Sequence, residues 1–139
     1  MTTRTRWPIT LAFALLSACG QGDGGEGAGT PSPTENAAVA TAAAAAPPAF
    51  AQCGSCHSVE PGRHGAGPSL AGVLGRKAGT QPGYAYSPAL ASSGIVWNAK
   101  TLDTWLQGPM KMVPGTRMVV GLPDPQARKA VIDYLETLN

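Results

Sequence analysis

Five consecutive residues, Cys53-Gly54-Ser55-Cys56-His57, constrain this chain more than any other stretch. Two thiols three positions apart, with an imidazole directly after the second, form the pattern for covalent attachment of a c-type haem. On one helical turn, positions three apart share a face. The thiols of Cys53 and Cys56 can therefore add to the two vinyl groups along one porphyrin edge, with His57 placed under the ring to offer a nitrogen to the iron. Two other readings of the motif compete. A redox dithiol has no use for His57, and the flanking sequence shows no alternation of strand and helix of the thioredoxin kind. A zinc site needs more Cys or His nearby, and the other candidates are His64 and Cys19.

A site of this size dominates a short chain. The sequence has 139 residues, room for one domain plus extras, and its 18 Gly and 13 Pro assign much of it to loops and linkers. The third cysteine, Cys19, has no partner, so no disulfide framework is expected. The formal charge of +2 includes Arg4 and Arg6; from Pro48 onward eight basic and five acidic residues leave +3, before two haem propionates are counted. No basic stripe runs along the sequence, so nucleic acid is not an expected partner.

Three segments follow from the order of the chain. Residues 1–18 read as a secretory signal, with Arg4 and Arg6 at the start and a short apolar stretch from Ile9 to Leu16. It ends in Leu16-Ser17-Ala18-Cys19, similar to the lipobox of bacterial lipoproteins, in which the Cys receives diacylglycerol and becomes the mature N-terminus. The competing reading is ordinary cleavage that leaves a stray thiol; both export the chain. Residues 19–47 then read as a lipidated Cys19 and a Gly-, Pro- and Ala-rich tether that cannot form a core. As a flexible coil, residues 20–46 would span roughly 30 Å, with any helical turn in Ala42–Ala46 stopped by Pro47-Pro48.

The folded domain is expected over 48–139 and is all-α. Pro48 to Cys56 predicts a short helix with Phe50 inward, and Pro61-Gly62 a turn. Ser87-Pro88 opens a short helix closed by Gly94. Asn98 caps another over Ala99 to Gln107, ended by Gly108-Pro109, with Leu102, Trp105 and Leu106 on one face. Asp124-Pro125 starts the last helix, where Ala127, Ala130, Val131, Tyr134, Leu135 and Leu138 recur at spacings of three and four. About 90 residues with few large apolar side chains make a thin core, which a covalent porphyrin would complete.

Six segments in order carry a resemblance: the Cys53–His57 motif, Gly67-Pro68-Ser69-Leu70, Gly75-Arg76-Lys77, Gly83-Tyr84-Ala85-Tyr86, Gly94-Ile95-Val96-Trp97 and Pro114-Gly115-Thr116-Arg117-Met118. From about Pro48 to Asn139 the chain resembles a class I cytochrome c of the mitochondrial-like bacterial type. The resemblance implies one covalent haem c, with His57 as proximal ligand bonded to the Pro68 carbonyl. Met118 is implied as distal ligand, with its loop shaped by Pro114 and Thr116. Arg76, Tyr86 and Trp97 are implied as the groups that neutralise or hydrogen-bond the propionates. Met110 and Met112 are rivals of Met118 that lack the loop pattern. His64 reads as a solvated loop residue, Trp105 as core and Tyr84 as a possible surface aromatic. The chain departs from the family pattern in its short first helix and in its sparse lysines (Lys77, Lys100, Lys111 and Arg117 are the candidate cations). It also carries Trp105 and Leu90 where many relatives carry Tyr and Asn, which removes partners for a buried water.

The implied function is a one-electron carrier, a monomer and not an enzyme, on the periplasmic side of a bacterial membrane. A cytochrome bc-type complex is the implied donor, a terminal oxidase the acceptor, and the lipid on Cys19 the anchor. Two other classes stay open at this point: a haem-binding subunit of a larger membrane oxidoreductase, and a small haem peroxidase or gas-binding protein.

Overall fold

The computed structural model describes residues 45–138 and five scattered positions before them, 33, 34, 37, 40 and 41. All belong to the compact unit Pro31–Asn139. The expected signal over 1–18, Cys19 and most of the expected tether lie outside the described residues. At the five scattered positions the backbone is helical, where a coil was expected. The Thr41 hydroxyl donates to Ala37 O at 2.9 Å, and the Ala45 amide donates to Thr41 O at 3.1 Å.

Proline punctuation sets the remaining elements. Pro48–Phe50 is a single 3-10 turn that runs into α1 (Ala51–Gly54). Ser87 caps the start of α2 (Pro88–Ala91) by accepting from the Leu90 amide; the helix ends at Ala91, three residues before Gly94. Asn98 and Thr101 form a reciprocal capping box at the start of α3 (Ala99–Gln107), which satisfies two otherwise orphaned donors. Gly108 ends α3, but Pro109 starts a further short helix, α4 (Pro109–Met112), that the sequence reading left as a stop. Proline preorganises a first helical turn as readily as it ends the previous helix. Asp124 caps α5 (Pro125–Glu136) through the Gln126 amide. Among the described residues the extended structure is a single bridge, Lys77 with Val96.

The two ends of the domain meet edge-on. Phe50 and Tyr134 pack with ring centroids 4.7 Å apart and planes at 70°, which seats the segment before Cys53 on α5. Arg128 on α5 is buried; its Nε donates to Asp103 on α3 at 2.7 Å, and its Nη1 donates to the carbonyls of Leu122 and Pro123. That one guanidinium joins α3, α5 and the segment between Met118 and α5. Gly79 (φ +77) passes so close to α2 that a Cβ would sit 2.5 Å from the Ala91 Cα, so only glycine brings these segments together.

Among the described residues thirteen hydrophobic side chains are buried, and eight of them (Val73, Leu90, Trp97, Leu102, Trp105, Leu106, Val131 and Leu135) wall one cavity of about 370 Å³. The core is therefore built around a space. A space of this size with mostly apolar walls suits a large apolar occupant.

Candidate functional site

The first wall of the cavity comes from the motif. The Cys56 and His57 amides donate to Cys53 O at 3.0 and 2.9 Å, so the turn of α1 continues through His57. Cys53, Cys56 and His57 all line the cavity. Cys53 is half-buried and Cys56 exposed, which brings one edge of the site to the surface. Burial pushes the Cys53 thiol up, opposed by its backbone hydrogen bond; it therefore stays an S–H group, the form that adds across a vinyl double bond without an oxidant.

His57 is held in one tautomer. Its Nδ1–H donates to Pro68 O at 2.7 Å, leaving Nε2 with a free lone pair. Burial pushes the ring below the ordinary histidine range, more than the Pro68 bond raises it. A neutral imidazole with one nitrogen engaged is the form that ligates a metal. Gly67 lies against this ring: a Cβ there would stand 2.6 Å from Nδ1 and 2.7 Å from Nε2. The Gly67 amide donates to Cys56 O at 2.8 Å and its carbonyl accepts from the Gly65 amide at 2.9 Å, so the backbone is fixed against the ring.

A second side of the site carries cations and donors. Arg76 lines the cavity, and its Nη1 and Nη2 donate to Ala71 O and Ser69 O at 3.1 and 3.2 Å. Desolvation lowers its pKa, opposed by Tyr86, yet an arginine stays charged in a protein. Burial pushes the Tyr86 phenol up, with Arg76 working against that. Tyr86 and Trp97 also line the cavity. Trp97 is clamped by its amide to Arg76 O at 2.9 Å. A half-buried positive group beside a phenol and an indole is matched to carboxylates that would otherwise be buried unpaired.

Met118 lines the cavity too, whereas Met110 and Met112 do not. Its loop follows from local bonds: the Thr116 amide donates to Val113 O at 3.1 Å, and the buried Thr116 hydroxyl receives the Met118 amide at 3.4 Å. Arg117, read from sequence as a surface cation, donates through Nη1 to Ala85 O at 2.7 Å. That bond straps the Met118 loop to the Tyr84–Tyr86 loop.

Two sequence expectations need correction, and a third residue does more than expected. His64 is not a solvated loop residue: its Nε2–H donates to Pro82 O at 2.9 Å and its Nδ1 accepts from the Ser69 amide at 3.1 Å. It clips the segment after Pro68 to the next loop, with its ring edge-on to Tyr84. Tyr84 is no plain surface aromatic; it lines the cavity and its hydroxyl donates to Ala66 O at 2.6 Å. Trp105 is buried as expected, but it is more than core: its Nε1–H donates to Met118 Sδ at 3.2 Å. No sequence signal marked this pair, because the two residues stand 13 positions apart.

Haem fits this donor set. Two thiols on one turn, a tautomer-locked imidazole, a soft thioether and a caged guanidinium surround an apolar space. Gly67 leaves room for the imidazole where a Cβ would fill it. Comparison with known proteins points the same way. The cytochrome c family model matches residues 43–139. Cytochrome c2 iso-2 of Magnetospirillum fulvum is 52% identical over 94 residues, covering 67% of this chain and 98% of its own. Cytochrome c2 of Rhodopila globiformis is 52% identical over 88 residues, covering 63% of this chain and 83% of its own. Among solved structures, cytochrome cH from Methylobacterium extorquens aligns with a TM-score of 0.61 at 44% identity, covering 71% of this chain and 97% of its own.

Proposed function

The chain belongs to the cytochrome c family, whose members bind one covalent c-type haem and transfer electrons rather than catalyse, and on that footing we propose that it is a periplasmic one-electron carrier with His57 and Met118 as the axial ligands. When bound, the haem supplies a ferric/ferrous couple; the rest is the work of this chain's side chains. Cys53 and Cys56 hold the group covalently. His57, oriented by Pro68, presents Nε2 on one side. Met118 presents a thioether, a soft ligand that favours ferrous iron and raises the potential. Held by both His57 and Met118, the iron would offer no open position to a substrate. Arg76, Tyr86 and Trp97, which line the same cavity, would receive the propionates in place of water.

The single observation that supports this reading is the convergence of Cys53, Cys56, His57 and Met118 on one cavity. Exposed Cys56, Val119 and Val120 lie at its rim, where an electron-exchange partner would dock. The partners we propose are a bc-type complex as donor and a terminal oxidase as acceptor, with Cys19 lipid holding the carrier at the membrane. No helix among the described residues is long and apolar enough to cross a membrane.

Met118→Ala tests the ligation. The variant should keep its covalent haem, bind carbon monoxide readily when reduced, and show a lowered potential. A variant that stays six-coordinate, with an unchanged potential and no carbon monoxide binding, assigns the distal position to another residue.

A further inference from the structure

Charge is held away from the open edge of the cavity. Three of the eight cations from Pro48 onward are paired with acids: Arg63 with Glu60, Arg128 with Asp103 and Lys129 with Asp133. Among the described residues no Asp or Glu lines the cavity, and two exposed cations do, Lys77 and Arg117. Both belong to the side of Tyr86 and Trp97. Lys77 follows Arg76 and is bridged to Val96, and the Arg117 guanidinium is bonded to Ala85 O. The other exposed residues of the rim are Gln52, Ser55, Cys56, Ala66, Val119 and Val120, all uncharged. We propose that this uncharged rim is self-complementary: its occupant is a second copy of the chain, and electrons pass directly from one carrier to the next. The proposal rests on the carrier reading and adds a partner to it.

The rim is apolar where it is most exposed. Val119 and Val120 are 68% and 46% exposed, and they are the part of the rim that gains most from leaving water. The backbone that displays them is fixed. The Leu122 amide donates to Leu106 O at 2.6 Å, and a Cβ on Gly121 would stand 3.2 Å from the same carbonyl. A face already rigid loses little entropy on contact.

Symmetry decides what such a face fits. In a two-fold pair the same patch meets itself, so a cationic rim repels its twin and an uncharged one does not. Long-range repulsion is small as well, because the side chains from Pro48 onward give +3 and two haem propionates would reduce this to +1. Two valines are too few for a stable dimer. They suit the weak electron-transfer encounters that bury less than about 1,200 Å², from which a carrier can leave again. The step balances without a co-reactant: ferrous haem in one copy gives one electron to ferric haem in the other, with no proton moved and no bond made or broken.

The test uses the full haem-loaded chain, half ferric and half ferrous, with the exchange rate read by proton NMR. The parent rate should change less than about threefold between about 0.01 and 0.15 M salt, over which the Debye length shrinks from about 30 to about 8 Å. Val120→Lys sets like charges face to face and should slow exchange about tenfold at low salt. Val120→Glu should do the same, and ferrous Val120→Lys mixed with ferric Val120→Glu should recover the parent rate. Val96→Lys adds the same charge at an exposed residue outside the cavity and should change the rate less than about twofold. A Val120→Lys rate equal to the parent's, or to that of Val96→Lys, overturns the proposal. So does a steep acceleration of the parent by salt, which would fit the rim to an acidic protein partner instead. A readout without electron transfer keeps the parent protein alone. In the all-ferrous chain the Val119 and Val120 methyl resonances should shift as concentration rises into the millimolar range, while those of Val96 stay. Stationary Val119 and Val120 methyls, or shifts centred on Val96, overturn the proposal. Failure of the carrier reading is separate: it would appear as a haem protein that ascorbate and ferricyanide do not cycle reversibly between the ferrous and ferric states.

Discussion

Gly67→Ala is the smallest change that should disturb the proximal ligand. A Cβ at this position would stand 2.6 Å from His57 Nδ1 and 2.7 Å from Nε2, where ordinary contact begins at 3.4 Å. The Gly67 backbone is held by the Cys56 carbonyl and the Gly65 amide, so the imidazole must retreat by most of an ångström. The bond from Nδ1 to Pro68 O, now 2.7 Å, would stretch beyond useful range. Losing it costs about 1 kcal/mol, and the overpacking adds about 2 kcal/mol, for a total of about 3 kcal/mol. With a guanidinium slope of about 3 kcal/mol per M, the unfolding midpoint of the haem-loaded protein should fall by about 1 M. The potential should rise as well, because the Pro68 carbonyl makes the imidazole a stronger donor to ferric iron. Guanidinium titration by circular dichroism and equilibrium potentiometry measure the two effects. An alanine variant with the parent midpoint and potential would refute the argument that Gly67 is required by the ring it touches.

Two further predictions concern the scaffold and the anchor. The Arg128 hydrogen bond, aided by Gln107, holds the Asp103 carboxyl below its usual range, so its stabilising contribution is present above the ordinary carboxylate value and is lost as pH falls through the depressed folded one; the melting temperature of the parent should exceed that of Asp103→Asn at about pH 6 and converge with it below about pH 3, and a gap that persists in acid would count against the ion pair as its source. Cys19→Ser, in a chain given a conventional signal cleavage site, should move the protein from the membrane to the soluble fraction with an unchanged visible spectrum; parent protein already in the soluble periplasmic fraction would sink the lipid anchor.

What could be read along the chain was what depends on near neighbours. Cys53, Cys56 and His57 declare their chemistry because a helical turn brings i, i+3 and i+4 together in any context. Ser87, Asn98 and Asp124 announce three helices because a cap bonds amides two or three residues on, and the last helix shows its buried face in its own period. The stop at Gly108-Pro109 was legible for the same local reason, but the short helix α4 that Pro109 opens was not, because proline ends one helix and begins another equally well.

The contacts that finish the site follow a different rule. Trp105 with Met118 spans 13 positions, His64 with Pro82 spans 18, and Arg117 with Ala85 spans 32. No periodicity links such pairs; they exist because folding around a cavity leaves each donor one acceptor within reach. An indole looks like core in sequence, and it is core. Whether its N–H meets a sulfur, a water or a carbonyl is decided by how α3 lies against the loop before α5. The haem-attachment chemistry of this protein was therefore written in the local motif, while the surroundings of Met118 came into being only when the helices closed.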